Sequence, residues 1–309
     1  MMLTIFTPLY NREILIKRLY ESLTSQTNQN FEWLVVDDGS TDNSYAVVNS
    51  ILHNENKFTI RLYTQKNSGK HVAINTGIDK AEGNIYFIVD SDDYLPNDAV
   101  EKIYKYFEHI KNCEIVVGIS AVKAYDTRSV VGTSFSDQAE FIDISNLERR
   151  EHGITGDRAE VYYTSILKKY RFPVFENEKF ISEATVWNKI AYDGYKLRFV
   201  NDILYFCEYL DAGLSKNIKK VFLNNWNGYT FYVNQEIKYR KHILNKFTIL
   251  LAYIQLAKEK KITLKIIKRQ LDNAPVLLLI VAFFLQLPYR LVIKFIHLKN
   301  NICMDKEER

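Results

Sequence analysis

Three cysteines, Cys113, Cys207 and Cys303, lie far apart in 309 residues and form no C-x-x-C pair. That spacing argues against a disulfide framework and against a structural zinc site. The first ten residues, Met1 to Tyr10, carry neither a basic stretch nor a long apolar one. No secretory leader is expected, and a reducing cytosol is the expected compartment. Long apolar runs are also missing. Val276 to Leu285 is an uninterrupted run of ten apolar residues, too short to cross about 30 Å of hydrocarbon as a helix. Extending it to Ile296 admits Gln286, Pro288, Arg290 and Lys294. A transmembrane span is not expected. A buried core helix and an in-plane membrane helix with basic flanks both fit. Glycine-rich nucleotide motifs are absent too. No G-x-G-x-x-G follows the first apolar run, which disfavours a dinucleotide fold. Gly69-Lys70 is no P-loop, because position 65 is Gln and position 71 is His. There is no D-x-D-x-D-G calcium loop, no internal repeat and no low-complexity linker.

What is present is an ordinary globular composition, 47% hydrophobic and 25% charged, which excludes wholesale disorder. The 21 Tyr and 18 Phe supply core and half-buried surface, with room for a few sugar-stacking rings. The net charge of +4 conceals an asymmetry. Residues 1–215 hold 23 Lys and Arg against 31 Asp and Glu, a balance of −8; residues 216–309 hold 18 against 6, a balance of +12. A basic tail on an acidic body points to nucleic acid, an anionic membrane surface or a solvated helical face. The tail contains no recognised nucleic-acid module, so nucleic acid is not expected as a partner.

Apolar strand-like runs alternate with helical spacing from the start. Strands are expected over 3–8, 31–37, 58–63, 84–90 and 114–124, with helices over 13–26, 43–53, 70–82 and 98–110. This βαβ rhythm predicts a mostly parallel, open, doubly wound sheet. Residues 125–182 read as irregular, 183–192 as a helix, and the chain from about 222 as almost wholly helical. Residues 235–258 place Ile237, Leu244, Phe247, Leu251 and Ile254 on one side of such a helix.

In open α/β sheets ligands bind at the carboxyl ends of the strands, and four polar clusters fall there: Thr7-Pro8-Leu9-Tyr10-Asn11-Arg12, Asp37-Asp38-Gly39-Ser40-Thr41-Asp42, Lys66-Asn67-Ser68-Gly69-Lys70 and Asp90-Ser91-Asp92-Asp93. Each alone reads equally as a turn or a solvated loop; together they suit a nucleoside diphosphate. Asp38, with Asp37 beside it, can accept a hydrogen bond from a uracil-type imide. Tyr10 offers a ring face to a base. Asp90 and Asp92 supply hard oxygen ligands for Mg²⁺ or Mn²⁺, which would neutralise a diphosphate leaving group. Lys70 or Lys66 adds positive charge near phosphates.

These four motifs, with Val35 and Val36 leading the second and His71 to Gly77 extending the third, resemble the family 2 glycosyltransferases of the GT-A fold over residues 1 to about 210. The resemblance implies a GT-A domain over 1–215, with a nucleotide-sugar-binding half (1–95) and an acceptor half (96–215); the basic helical region that follows (216–309) is read from its charge and spacing, with membrane association and oligomerisation both open. It implies a nucleotide-sugar donor, a divalent metal and inversion at the anomeric carbon. The donor-binding set is then Pro8, Tyr10, Asn11, Asp37, Asp38, Lys66, Gly69, Lys70, Asp90 and Ser91, with the metal on Asp90 and Asp92. The family's base lies well after the D-x-D motif at the start of a helix. Phe180 to Asn188 fits that context and nominates Glu183, with Asp157 as runner-up. Here a single Glu followed by Ala stands where the family often has Asp or a Glu-Asp pair. Trp187 is a candidate acceptor platform or equally a buried core residue, and Glu208 to Lys216 a candidate lid or equally an ordinary loop.

The expected activity is transfer of a sugar, by default from a UDP-sugar, to a glycan or lipid-linked oligosaccharide in surface polysaccharide synthesis. The expected location is the cytoplasm, peripheral to the inner face of the membrane; oligomerisation is left open. Two other functions compete. A sugar nucleotidyltransferase would need a Gly-rich basic loop after the first strand, which Thr7 to Arg12 is not. A non-catalytic nucleotide-sugar-binding assembly subunit would not need Asp38, Asp90, Asp92 and Glu183 together.

Overall fold

The computed structural model describes residues 1–136, 139–208 and 217–285. They fall into two compact units: Met1–Val174 with Ile190–Leu210, and Phe175–Lys189 with Asp211–Arg309.

The first unit is built on an eight-stranded sheet. Strand β1 (Leu3–Leu9) and strand β2 (Phe31–Asp37) are buried along their whole length, the pattern of central parallel strands covered on both faces. β3 (Thr59–Thr64) pairs parallel to β2 at the edge, and β4 (Ile85–Ile88) pairs parallel to β1 on the other side. Between them run α1 (Leu15–Thr24), α2 (Ser44–Leu52) and α3 (Lys70–Lys80). The register decides where the loops emerge. Leu9 lies opposite Asp37, and Asp37 opposite Thr64. Phe6 lies opposite Ile88, so Asp90 falls level with Pro8. α3 sits close against the sheet at Gly77, where a Cβ would run into the Phe6 ring and the Tyr86 hydroxyl. The expected strands and helices of the first hundred residues are present within a few residues of their predicted ends, and the sheet is mostly parallel as expected.

Past α4 (Ala99–Ile110) the sequence reading was incomplete. The region read as irregular contains β6 (Phe141–Ile144), β7 (Arg158–Tyr163) and a short α5 (Thr164–Leu167), and β8 (Lys196–Phe206) was not expected at all. The full order is β3-β2-β1-β4-β7-β5-β8-β6, with β5 spanning Val116–Ala124. β7 runs antiparallel between β4 and β5, and β6 antiparallel along β8. Charged residues within these strands hid the period of two. Arg158 is buried, with its guanidinium donating to the carbonyls of Ser120 (3.0 Å) and Val200 (2.7 Å). β5 and β8 pair with three register shifts, and a shifted strand cannot show clean alternation.

The second unit is helical: α7 (Ile218–Asn224), α8 (Trp226–Tyr239), α9 (Ile243–Glu259), α10 (Leu264–Gln270) and α11 (Val276–Phe284). Its core packs Trp226, Tyr229, Val233, Leu250, Tyr253 and Ile254. The expected single helix over 235–258 is broken. Arg240 and His242 are extended, so Ile237 lies in the last turn of α8 while Leu251 and Ile254 belong to α9, and Leu244 is exposed. α6 (Ala184–Tyr192) spans the boundary between the units. The ten-residue apolar run forms α11, and no helix among the described residues is long and apolar enough to cross a membrane. The expected lid, apart from Glu208, lies outside the described residues.

One buried carboxylate stitches the amino ends of the parallel strands together, opposite the ends that carry the polar clusters. Glu32, 1% exposed near the start of β2, accepts from the Thr4 hydroxyl on β1 (2.5 Å), from the Glu82 amide (2.7 Å) and from Arg61 on β3 (3.0 Å). Arg61 in turn donates to the Lys80 carbonyl at the end of α3 (2.8 Å). Removing the carboxylate leaves the buried Thr4 hydroxyl and the Glu82 amide without their acceptor, while Arg61 keeps the Glu82 carboxylate, the Lys80 carbonyl and the Tyr63 hydroxyl. Glu32→Leu is therefore expected to destabilise the first unit by about 1–3 kcal/mol, read as a lower urea midpoint; an unchanged midpoint would show that the stitch contributes nothing.

Candidate active site

Aligned strand ends deliver the polar clusters to one edge of the first unit. The turn after β1 places Asn11 in the left-handed region (φ 51°), where Asn is tolerated better than most residues. From there its side chain accepts from the Thr41 amide (2.8 Å), and its own amide donates to Ser40 Oγ (3.0 Å). The loops after β1 and β2 are thereby pinned together. Asp37 is buried and accepts from the Ser40 amide (3.2 Å). Pro8 is buried within β1, and Tyr10 is 44% exposed.

Asp38 organises the third cluster. One carboxylate oxygen accepts from Gln65 Nε2 and the Ser68 amide, and the other from the Gly69 amide, each at 2.8 Å. Asp38 is 4% exposed, so these three bonds are made largely out of water. Gly69 adopts φ 97° just before α3, a conformation glycine takes without a Cβ penalty. α3 thus begins at Lys70, whose ammonium meets Asp90 at 2.6 Å. Lys66 is exposed.

The fourth cluster is a group of carboxylates held by cations. Desolvation works against charge on Asp90, but Lys70, by charge and hydrogen bond, and Lys123 hold its carboxyl below the ordinary value despite nearby Asp157. Asp92 meets Arg12 Nε at 3.2 Å, and its carbonyl accepts from Arg18 Nη2 at 2.5 Å. Asp93 is buried; desolvation, then the charges of Asp90 and Asp92, push its carboxyl up to about 7 against the Tyr205 hydrogen bond. Ser91 is buried between them. Tyr205 on β8 clamps the loop. Its hydroxyl donates to Asp93 (2.7 Å) and accepts from the Asp90 amide (2.9 Å). Lys123, at the end of β5, lies over the Tyr205 ring (4.3 Å) and reaches Asp157 at 3.0 Å. Desolvation opposes charge on Asp157 as well, yet Lys123, Lys70 and Arg149 hold its carboxyl below the ordinary value.

The structure brings Asp38, Gly69, Lys70, Asp90, Asp92 and Asp157 into one connected network. Sequence reasoning missed Lys123, Tyr205, Arg18 and Asp93. Lys123 and Asp93 carried a signal, a lysine ending a strand and a further carboxylate beside the D-x-D pair. Tyr205 carried none while β8 went unread. Glu183 belongs to the second unit, half-buried immediately before α6, where its carbonyl accepts from the Val186 and Trp187 amides. Trp187 is only 6% exposed, which favours the core residue of its two readings.

A parallel sheet whose strand ends carry these carboxylates and cations defines a GT-A type nucleotide-binding domain. The profile of glycosyl transferase family 2 matches residues 4–175, and the chain belongs to that family. An uncharacterized glycosyltransferase of Haemophilus influenzae is 36% identical over 101 residues, 33% of this chain and 40% of that protein. The GalNAc(5)-diNAcBac-PP-undecaprenol beta-1,3-glucosyltransferase of Campylobacter jejuni is 23% identical over 98% of this chain and 99% of its own length. Among solved structures, S. aureus TarS 1-349 in complex with UDP-GlcNAc shares the fold, with TM-score 0.58 at 17% identity, covering 92% of this chain and 89% of that one.

The Asp38 tether generates a prediction. Replacing it by Ala leaves the Ser68 and Gly69 amides without their acceptor, and hydrogen bonds to charged groups contribute about 1.5–3 kcal/mol each. Amide exchange at residues 65–70 is expected to accelerate on the order of tenfold to a hundredfold; unchanged protection would show that the loop holds itself.

Proposed function

We propose that this chain is an inverting glycosyltransferase that moves a sugar from a nucleoside-diphosphate sugar, by preference a UDP-sugar, to a hydroxyl of a glycan or lipid-linked oligosaccharide in surface polysaccharide synthesis. One observation carries the reading: tethered Asp38, the Lys70–Asp90 pair and the Arg12–Asp92 pair stand together at the ends of consecutive strands. That set matches the polarity of a nucleoside diphosphate, with an acceptor for an imide N–H and cations for phosphates. The UDP-GlcNAc complex of TarS and the undecaprenol-linked substrate in the Campylobacter enzyme's name point the same way.

Within it, 1–95 would form the donor half, 96–215 the acceptor half and 216–309 a basic helical region. Pro8, Tyr10, Asn11, Asp37 and Asp38 would hold base and ribose, Lys66, Gly69 and Lys70 the phosphates, and Asp90 and Ser91 the ribose and diphosphate side.

The donor chemistry fits a divalent cation. Asp90, Asp92 and Asp93 place three carboxylates within four residues; burial first, and then the charges of Asp90 and Asp92, raise the Asp93 carboxyl to about 7. No group of three His, Cys, Asp or Glu among the described residues is arranged to enclose a metal. Mg²⁺ and Mn²⁺ at nucleotide sites commonly use one or two carboxylates plus phosphate oxygens, so Asp90 and Asp92 suffice. When bound, the ion would neutralise charge on the departing diphosphate.

Glu183 would take the proton from the acceptor hydroxyl as its oxygen attacks the anomeric carbon opposite the leaving group. A general base works best with a pKa near the working pH. Asp157, whose carboxyl Lys123 holds below the ordinary value against desolvation, stays the runner-up. A non-catalytic assembly subunit would have no use for the Asp90–Lys70–Lys123–Asp157 chain of charges.

Specific binding stabilises the native state by about 2.7 kcal/mol at a hundredfold excess over Kd. UDP and one UDP-sugar with Mn²⁺ are expected to raise the melting temperature. Asp92→Asn should abolish the metal-dependent part, and no shift with any nucleotide would overturn the donor assignment. Glu183→Gln is expected to keep the nucleotide shift while transfer falls on the order of 10²–10⁴-fold. Near-normal transfer would reassign the base to Asp157.

A further inference from the structure

Helix α11 is apolar on every side, Val276 to Phe284, but only one face is used. Leu279 and Ala282 are buried at 2% each, against α9 and α10. Lys258 fastens this inner face by donating to the Phe283 carbonyl (2.6 Å). The outer face leaves Leu277 76% and Phe284 68% exposed, with Val276, Ile280 and Val281 also in solvent. A contiguous outward set of large aliphatic and aromatic side chains marks an interaction surface.

Charge says what covers it. From Lys260 to Met304 the sequence holds eight Lys and Arg against a single acid, Asp272. On α10, immediately before α11, Lys265, Lys268 and Arg269 are exposed beside exposed Ile266. A second copy of the chain would bring the same excess of positive charge to this face. An anionic bilayer brings the opposite sign together with an apolar interior, and apolar burial and basic attraction then act in the same direction.

We infer that the outer face of α11 and the basic side chains of α10 form a seat for an anionic phospholipid surface. The inference deepens the reading of a lipid-linked acceptor. It is tested without donor or acceptor, so it fails or stands separately from the transferase reading.

The test is co-sedimentation of the full chain with phosphatidylcholine vesicles, with and without phosphatidylglycerol, at low and high salt. The wild-type chain should bind the phosphatidylglycerol vesicles and release as salt rises. Leu277→Asp with Phe284→Asp should lower partitioning at least about tenfold, and Lys265→Gln, Lys268→Gln and Arg269→Gln together should do the same. All these side chains are exposed, so circular dichroism and melting temperature should not move. Absence of wild-type binding, equal binding by the variants, or binding indifferent to phosphatidylglycerol would each overturn the seat. So would a wild-type dimer in sedimentation that Leu277→Asp dissociates without changing vesicle binding, which would make the face a contact between copies.

Discussion

Carboxylates gathered at one edge of a sheet repel one another, and the first unit depends on how that repulsion is contained. Asp90, Asp92 and Asp93 follow one short strand, and Asp157 arrives from β7. Each has a dedicated counterweight. Lys70 takes Asp90, Arg12 takes Asp92, Lys123 takes Asp157, and the Tyr205 hydroxyl takes Asp93. The counterweights come from four different elements, α3, the turn after β1, β5 and β8. The electrostatics of one loop therefore constrains how those elements pack. At partly buried positions these pairs are screened less than surface pairs, so a misplaced cation there would be felt by the whole cluster.

That constraint explains local features that otherwise look unrelated. α3 must begin at Lys70 for its ammonium to reach Asp90. This requires Gly69 in a positive-φ conformation and its amide seated on Asp38. The close seat of α3 at Gly77 brings the helix down on β1 and β4, the strands whose ends carry Tyr10 and Asp90. Tyr205, raised well above its ordinary pKa by burial and by Asp90 and Asp93, stays a neutral hydroxyl. It can therefore donate to one carboxylate and accept from the neighbouring amide at once.

The parallel half of the sheet was readable because its strands are buried on both faces and its loops are polar. Largely apolar runs such as Leu3–Leu9 and Phe31–Asp37, ending in Tyr10, Asp37 or Asp90, state both the strand and the site. The other half was not readable, because its strands are irregularly paired and lack such a run-then-polar-loop pattern. Arg158 is solvated by carbonyls rather than water, and the slipped pairing of β5 with β8 erases alternation. The same blindness hid Tyr205. Trp187 stayed open between platform and core, since a sequence names an aromatic ring without saying which way it faces.

Charge is handled in opposite ways in the two units. In the first, acids and bases are interleaved at the site, so each carboxylate is balanced locally. In the second, Glu236 pairs with Arg240 and Glu259 with Lys219, which engages every Glu of residues 216–285. Residues 216–309 have 18 basic side chains and 6 acidic ones, so at least twelve basic charges have no acid of their own region to pair with. Exposed charges of one sign raise the cost of compaction. A stretch that retains them beside an exposed apolar helix lowers its free energy by meeting a surface of opposite sign. On the inferred seat, the basic excess of this region and the exposed face of α11 would be met by one partner, a bilayer with anionic headgroups.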